Sequence, residues 1–299
     1  MEIVTGKSTF PKCTITTMID KTSPSTRNKH GAKFPGTDGP GSFFDGNNMS
    51  HKIIWTDKTL NFSTGCNPCS DGCRNCYAKK MAKRLQKIPA TAHKYRNGFT
   101  YTEHTEEIFA TKLRKKPLRI FLNSMSDTFH EDATEGHLRT TFDFIKSHPQ
   151  HTFQVLTKRP FNIPHWINFD KNVQLGLTIC TQKEYEEKAD AFFAIPAHFH
   201  FLSIEPMLES IKLPTGKFCD LVIVAGESGP EARPMHPEWV RSVRDKCRES
   251  GVALIFKQWG YNPGVGNNKI NSIIAGYNTS NKKGGRTLDG KIHDGEVPA

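Results

Sequence analysis

The sequence predicts an α/β protein built as a parallel βα barrel, partial and TIM-like. Six short apolar, β-favouring runs recur between residues 119 and 256, separated by helix-like stretches or longer connections. Strands that alternate with helices form βαβ units and hence a parallel sheet. Polar residues follow nearly every run, at the strand ends where the loops of a βα barrel collect their functional groups.

The elements follow in chain order. Residues 1–50 are rich in Thr, Ser, Gly, Pro and Lys without periodicity and end near Gly36-Thr-Asp-Gly-Pro-Gly41, which predicts an irregular extension. Residues 51–299 are expected to form the barrel domain, with an irregular C-terminal segment. A first strand is expected near 60–63 and a helix over 77–86. Strands then fall at 119–123, 153–157, 173–178, 199–204, 221–225 and 253–256, with helices at 135–147, 182–193 and 237–250. The last helix has Pro237 in its first turn, Glu238 at its positive end and Gly251 beyond its C-terminus. No solenoid repeat is visible.

The chain has 299 residues, 36% of them hydrophobic, enough for one α/β core or two small ones. No apolar run approaches the roughly 18 residues that span a bilayer. The N-terminus lacks the apolar core of a secretory signal. With clustered thiols, this points to a reducing cytoplasm. A net charge of +11 favours an anionic partner, with nucleic acid or a nucleotide first among candidates. Lys79, Lys80, Lys83, Arg84 and Lys87 form one basic cluster, and Lys112, Arg114, Lys115 and Lys116 another. Each reads as a solvated face or, for function, as a rim that steers a phosphate-bearing substrate.

Four of the eight cysteines lie within eleven residues, Cys66-Asn-Pro-Cys69-Ser-Asp-Gly-Cys73-Arg-Asn-Cys76, where Pro68 and Gly72 bend the backbone. Structural zinc sites generally use two pairs separated by roughly a dozen or more residues. Here only three residues separate Cys69 from Cys73, and no CxxC pair follows later. Iron–sulfur clusters are commonly held by thiolates crowded into one loop. Two triplets are available: Cys69-x3-Cys73-x2-Cys76, the spacing typical of radical S-adenosylmethionine (SAM) enzymes, and Cys66-x6-Cys73-x2-Cys76. Either leaves a fourth iron open. Zinc is the competing metal, and a disulfide knot is the third reading. Cys13, Cys180, Cys219 and Cys247 are scattered and read as free or buried thiols.

The strand ends supply Ser124, Ser126 and Asp127; Thr157, Lys158 and Arg159; Thr178; Ser203 and Glu205; Gly226, Glu227, Ser228 and Gly229; and Lys257, Gln258 and Trp259. Lys158, Arg159 and Arg233 read as phosphate contacts or structural ion pairs. His130 and His236 read as acid–base groups or capping residues. Trp239 and Trp259 could stack on a base or simply pack in the core, and Tyr77 is placed to cover a cluster.

Several stretches together resemble a phage-associated, largely uncharacterised family of radical-SAM-like proteins, distantly similar to spore photoproduct lyase. They are Trp55-Thr-Asp-Lys-Thr-Leu-Asn61, Gly72-Cys-Arg-Asn-Cys-Tyr-Ala78, Phe121-Leu-Asn-Ser-Met-Ser-Asp-Thr-Phe-His130, Leu156-Thr-Lys-Arg-Pro160, Ser203-Ile-Glu-Pro-Met-Leu208, Gly226-Glu-Ser-Gly-Pro-Glu-Ala-Arg-Pro-Met-His-Pro237, Phe256-Lys-Gln-Trp-Gly260 and Arg286-Thr-Leu-Asp-Gly-Lys-Ile-His-Asp294. The resemblance covers roughly residues 53–297. It implies a barrel of the radical SAM type and a [4Fe-4S] cluster on Cys66, Cys73 and Cys76, with Cys69 an addition. The family commonly has Asn-Pro before the first cysteine, where this chain has Asn61-Phe62.

The resemblance further implies that the open iron chelates SAM, and that an electron from an external donor cleaves it to a 5′-deoxyadenosyl radical. SAM contacts are then expected from Ser124, Asp127, Glu205, Gly226, Glu227 and Ser228. Glu205 leads because Ile204 and Pro206 enclose it and an enclosed carboxylate needs a partner. The glycines would let backbone approach the ligand. A nucleic-acid base or nucleotide is the expected substrate. The alternative is a zinc- or cluster-bearing nucleic-acid-binding module without radical chemistry.

Overall fold

The computed structural model describes residues 53–264 and 266–296. The extension expected over 1–50 lies outside the described residues, as does Cys13. The elements are β1 (Lys58–Leu60), β2 (Ser63–Thr64), α1 (Tyr77–Leu85), α2 (Pro89–Ala92), β3 (Thr102–Glu103), α3 (Thr105–Ala110), β4 (Arg119–Leu122), α4 (Glu135–Lys146), β5 (Thr152–Thr157) and β6 (Val173–Ile179). There follow α5 (Gln182–Phe193), β7 (His200–Ile204), β8 (Leu221–Ala225), α6 (Pro237–Ser250), β9 (Ala253–Gln258), α7 (Gly266–Ile274), β10 (Thr287–Leu288), β11 (Lys291–Ile292) and β12 (Asp294–Glu296).

One eight-stranded sheet runs in the order β1-β4-β5-β6-β7-β8-β9-β12. Every neighbouring pair from β1 to β9 is parallel, and β12 closes the edge antiparallel to β9. The result is mixed α/β: a curled, mostly parallel half-barrel, open between β1 and β12 among the described residues. Helices α4, α5 and α6 make the crossovers from β4 to β5, β6 to β7 and β8 to β9. The connection from β1 to β4 carries α1, α2 and α3, whereas the remaining two carry no α-helix, only the 3-10 turn Pro160–Asn162 after β5 and an irregular stretch after β7.

Local chemistry sets the helix ends. The Thr134 and Thr181 hydroxyls accept bonds from the His137 and Glu184 amides, each at 3.2 Å, capping α4 and α5. Gly251, at φ 63°, closes α6 in the left-handed conformation that favours glycine. The helix-facing side of the sheet is apolar up to Thr157 at the end of β5, with Ile120, Leu122, Val155, Leu175, Leu177, Leu202, Ile204, Val222, Val224, Leu254 and Phe256 all buried.

The other side of the sheet is graded. Side chains alternate along a strand, so residues two apart share a face. Phe121, Phe201, Ile223 and Ile255 lie on this concave side and pack with Trp55 as a separate apolar cluster. Gly176 belongs to it by omission: a Cβ there would stand 2.2 Å from the Phe201 ring. Continuing each strand by two or four residues on the same side reaches Asn123, Lys158, Thr178, Cys180, Ser203, Glu205 and Lys257. A mostly apolar plug, with Gln154 bonded to the Trp55 carbonyl and Gln174, thus fills the N-terminal half of the concavity and leaves a polar floor at the C-terminal half.

Candidate functional site

The cysteine loop leaves β2 and enters α1 at this polar end, and three sets of contacts brace it. On the first side, buried Arg159 reaches from the end of β5. Its Nη2 donates to the Asn67 carbonyl at 2.8 Å, Nη1 to Cys66 Sγ at 3.4 Å and Nε to Glu131 at 2.7 Å. Asn67 answers with its amide nitrogen on Glu131 Oε1 at 3.0 Å. On the opposite side, Arg233 pairs with Glu227 at 2.6 Å and donates to the Asp71 carbonyl at 3.0 Å. The Asn75 amide donates to Glu227 Oε2 at 3.1 Å. At the β1–β4 end, Asn61 accepts from Ser124 Oγ and the Met125 amide, Ser126 Oγ donates to the Gly65 carbonyl, and the Tyr77 hydroxyl donates to the Ser124 carbonyl. Asn123, at φ 55°, turns the chain after β4 so that these groups face the loop.

All four loop thiols are free. Cys69 is exposed and the other three are half-buried. A hydrogen bond from Cys69 pushes the Cys73 thiol down to about 4, helped by Lys158 and Ser70. The same bond pushes Cys69 up. Burial raises Cys66 to about 11, against the opposing pull of Arg159. Among the described residues no three His, Cys, Asp or Glu side chains are gathered tightly enough to hold a metal ion. The loop offers donor chemistry and position rather than a closed coordination shell. That donor chemistry fits an iron–sulfur cluster in kind: the loop sulfurs would serve as thiolates, and Arg159 and Lys158 supply positive charge beside Cys66 and Cys73.

The six residues expected to contact SAM all lie on loops or strand ends at this edge, but their side chains are not equally available. Asp127 is buried and saturated. It accepts from the Thr157 hydroxyl at 2.7 Å, the Phe129 and Lys158 amides at 3.0 and 2.9 Å, and Arg159 at 3.3 Å. Glu227 is likewise filled by Arg233 and Asn75, whose hydrogen bonds outweigh burial and hold its carboxyl below the usual range. Ser228 accepts from Gln258 at 2.7 Å. Gly226 approaches its own chain: a Cβ would stand 1.8 Å from the Trp259 carbonyl oxygen. Glu205 sits on the polar floor, paired with Lys257 and with Ser203 at 3.3 Å.

Several other expectations resolve here. Arg159 and Arg233 are ion-paired to Asp127, Glu131 and Glu227. Trp259 is buried with its indole N–H on the Thr287 carbonyl at 2.8 Å, and Trp239 packs against the core. His130 is buried under the Tyr101 ring, and burial lowers its pKa. Tyr77 is 52% exposed. Cys180 is the free, buried thiol that was expected, but its position at the site was not. Cys180 is buried beside the loop, 3.7 Å from Lys158 Nζ, and so close to Gly72 that a Cβ there would meet its sulfur at 2.2 Å. Its signal was strand parity, since Cys180 falls two residues after Thr178 on the concave face.

Fold and site together define a class: a mostly parallel α/β half-barrel with a thiol-rich loop at the C-terminal edge of its strands. The chain belongs to the family described as "Protein of unknown function (DUF5131)", which matches residues 50–298. Among solved structures, one of spore photoproduct lyase with bound AdoMet and dinucleoside spore photoproduct is similar over 65% of this chain, at 13% identity and a TM-score of 0.36. The match covers 51% of that protein, so this chain spans about half its length. Among curated proteins none matches.

Proposed function

We propose that this protein is a radical SAM-type iron–sulfur enzyme whose cluster is held by Cys66, Cys73 and Cys76. The observation that carries the reading is the position of the loop. Four free thiols sit at the C-terminal edge of a parallel sheet, where the loops of βα folds build active sites. The sequence resemblance adds the choice of Cys66 over Cys69. When bound, a [4Fe-4S] cluster of this kind supplies the electron that reductively cleaves SAM to a 5′-deoxyadenosyl radical, drawing on an external one-electron donor.

The chain's own residues do the rest. Arg159 and the Arg233–Glu227 pair fix the two sides of the loop, so the thiols are presented by a rigid frame. Glu205, with Lys257 and Ser203 behind it, is the carboxylate facing the polar floor and suits the ammonium or ribose hydroxyls of SAM. Ser124, Gly226 and Ser228 lie at the same strand edge, each already engaged within the fold, while Asp127 and Glu227 act through the residues they hold. The apolar plug beneath limits water access from the N-terminal side. A nucleic-acid base or nucleotide is the substrate class that the net charge of +11 favours.

Anaerobic purification tests the reading. The protein is expected to be brown and to contain roughly four irons per chain. A colourless protein with one tightly held zinc would overturn it and leave the metal-bearing binding module in its place.

A further inference from the structure

Between Gly72 and Thr102 the chain carries eight Lys and Arg residues and no Asp or Glu. This acid-free segment begins inside the cysteine loop and contains α1. The helix buries Ala78 and Ala82, with Met81 and Leu85 half-buried beside them. Its remaining face, continued one turn beyond its end, carries Lys79, Lys80, Lys83, Arg84 and Lys87, all exposed, with Tyr77 and Gln86 the other exposed residues. Lys79 with Lys83 and Lys80 with Arg84 stand four apart, where like charges repel.

Among the described residues only Lys80 of these five has a carboxylate within 4 Å, Glu231 at 2.7 Å. Lys79, Lys83, Arg84 and Lys87 have none. A helix face that repels itself gains stability from a polyanion that spans it. Tyr77 adds a second feature at the junction of helix and loop. Its residue is 52% exposed, and its hydroxyl is tethered to the Ser124 carbonyl, which fixes an aromatic platform beside Cys76. Unpaired cations next to a fixed ring match the way proteins hold single-stranded nucleic acid, with phosphates along the charge and a base on the ring.

We infer that the outer face of α1 binds the phosphodiester backbone of a single-stranded nucleic acid, with Tyr77 stacking a base at the mouth of the cysteine site. The inference rests on the proposed function for the meaning of that mouth, but the binding surface stands apart from the chemistry. The second basic cluster, Lys112 to Lys116, precedes β4 and so flanks the opposite, N-terminal edge of the strands. It is not part of this surface.

The test is binding of fluorescent single-stranded DNA and RNA oligonucleotides to the full chain across a salt series. Iron content and thermal stability are measured on the same preparations. Replacing Lys79, Lys83, Arg84 and Lys87 together with Ala is expected to lower the log–log salt slope by about 3, from roughly 0.7 per lost phosphate contact on a single strand. At 0.1 M salt the affinity falls by roughly a hundredfold or more. Arg at the three lysine positions restores it. Tyr77→Ala weakens binding by roughly tenfold, whereas Tyr77→Phe, which keeps the ring but loses the tether to Ser124, falls between alanine and wild type.

Ala at Lys112, Arg114, Lys115 and Lys116 is expected to change affinity less than about threefold, being on the other edge. Equal losses from the two clusters, an unchanged slope in the α1 variant, or binding to phosphatidylserine vesicles in place of oligonucleotides would overturn the inference. Oligonucleotide binding through α1 by an iron-free wild type would keep the inference and remove the enzyme reading. An iron-loaded, SAM-cleaving protein with no oligonucleotide affinity would do the reverse.

Discussion

Arg159→Ala is the perturbation that most directly probes how the cysteine loop is held. The side chain is 7% exposed, as is that of its partner Asp127. Its removal takes away the bonds to Asn67, Glu131, Asp127 and Cys66 at once. Breaking a buried ion pair typically costs about 3–5 kcal/mol, because the surviving charge is left uncompensated. Here Asp127 keeps the Thr157 hydroxyl and the Phe129 and Lys158 amides, so the lower end, about 3 kcal/mol, applies. At about 2–4 °C per kcal/mol for a domain of this order, the melting temperature falls by roughly 6–12 °C. Thermal unfolding followed by circular dichroism measures that drop, and anaerobic iron titration measures the loop. Arg159→Lys keeps the charge but cannot reach four partners from one planar fork, so it falls between. An alanine variant with wild-type melting and wild-type iron content would refute the account of Arg159 as the loop's anchor.

Other predictions concern the thiols, the backbone and pH. Cys73→Ala or Cys76→Ala abolishes cluster assembly, Cys69→Ala is tolerated, and intact clusters in Cys66→Ala protein would reassign the third ligand. Gly226→Ala forces a Cβ onto the Trp259 carbonyl, which is backbone and cannot swing away. The variant is expected to lose about 3 kcal/mol or more, the upper end for overpacking, and a melting curve matching wild type would contradict this. Glu227 has its carboxyl pKa held down in the folded state by Arg233 and Asn75. A lowered folded pKa contributes stability that is present above the unfolded value and is lost as pH falls through the folded one. Glu227→Gln therefore melts lower than wild type at pH 7, and the gap closes in acid. A gap that is constant from pH 7 to pH 3 would show that the ion pair contributes nothing.

Much of the fold was legible because local chemistry and periodicity agreed. The helices expected at 182–193 and 237–250 correspond to α5 and α6, whose ends are fixed by Thr181, Pro237 and Gly251. The apolar runs became strands because both sheet faces are buried, which makes them nearly continuous in hydrophobicity. No α-helix forms in the connections after β5 and β7. The braces of the site were illegible for a different reason. Arg159 meets Cys66 across 93 residues and Arg233 meets Asp71 across 162, and no local pattern encodes such pairings. Asp127 and Glu227 follow β4 and β8, and their donors come from distant loops or from turns whose shape the sequence does not state. Cys180 was readable from strand parity, which places it beside Thr178 on the concave face.

The central claim is tested most directly by incubating the anaerobic, iron-loaded protein with dithionite and SAM and measuring nucleoside release by chromatography. The account predicts 5′-deoxyadenosine from wild type and none from Cys73→Ala protein. An iron-loaded wild type that releases no 5′-deoxyadenosine, alone or with single-stranded nucleic acid present, would contradict it.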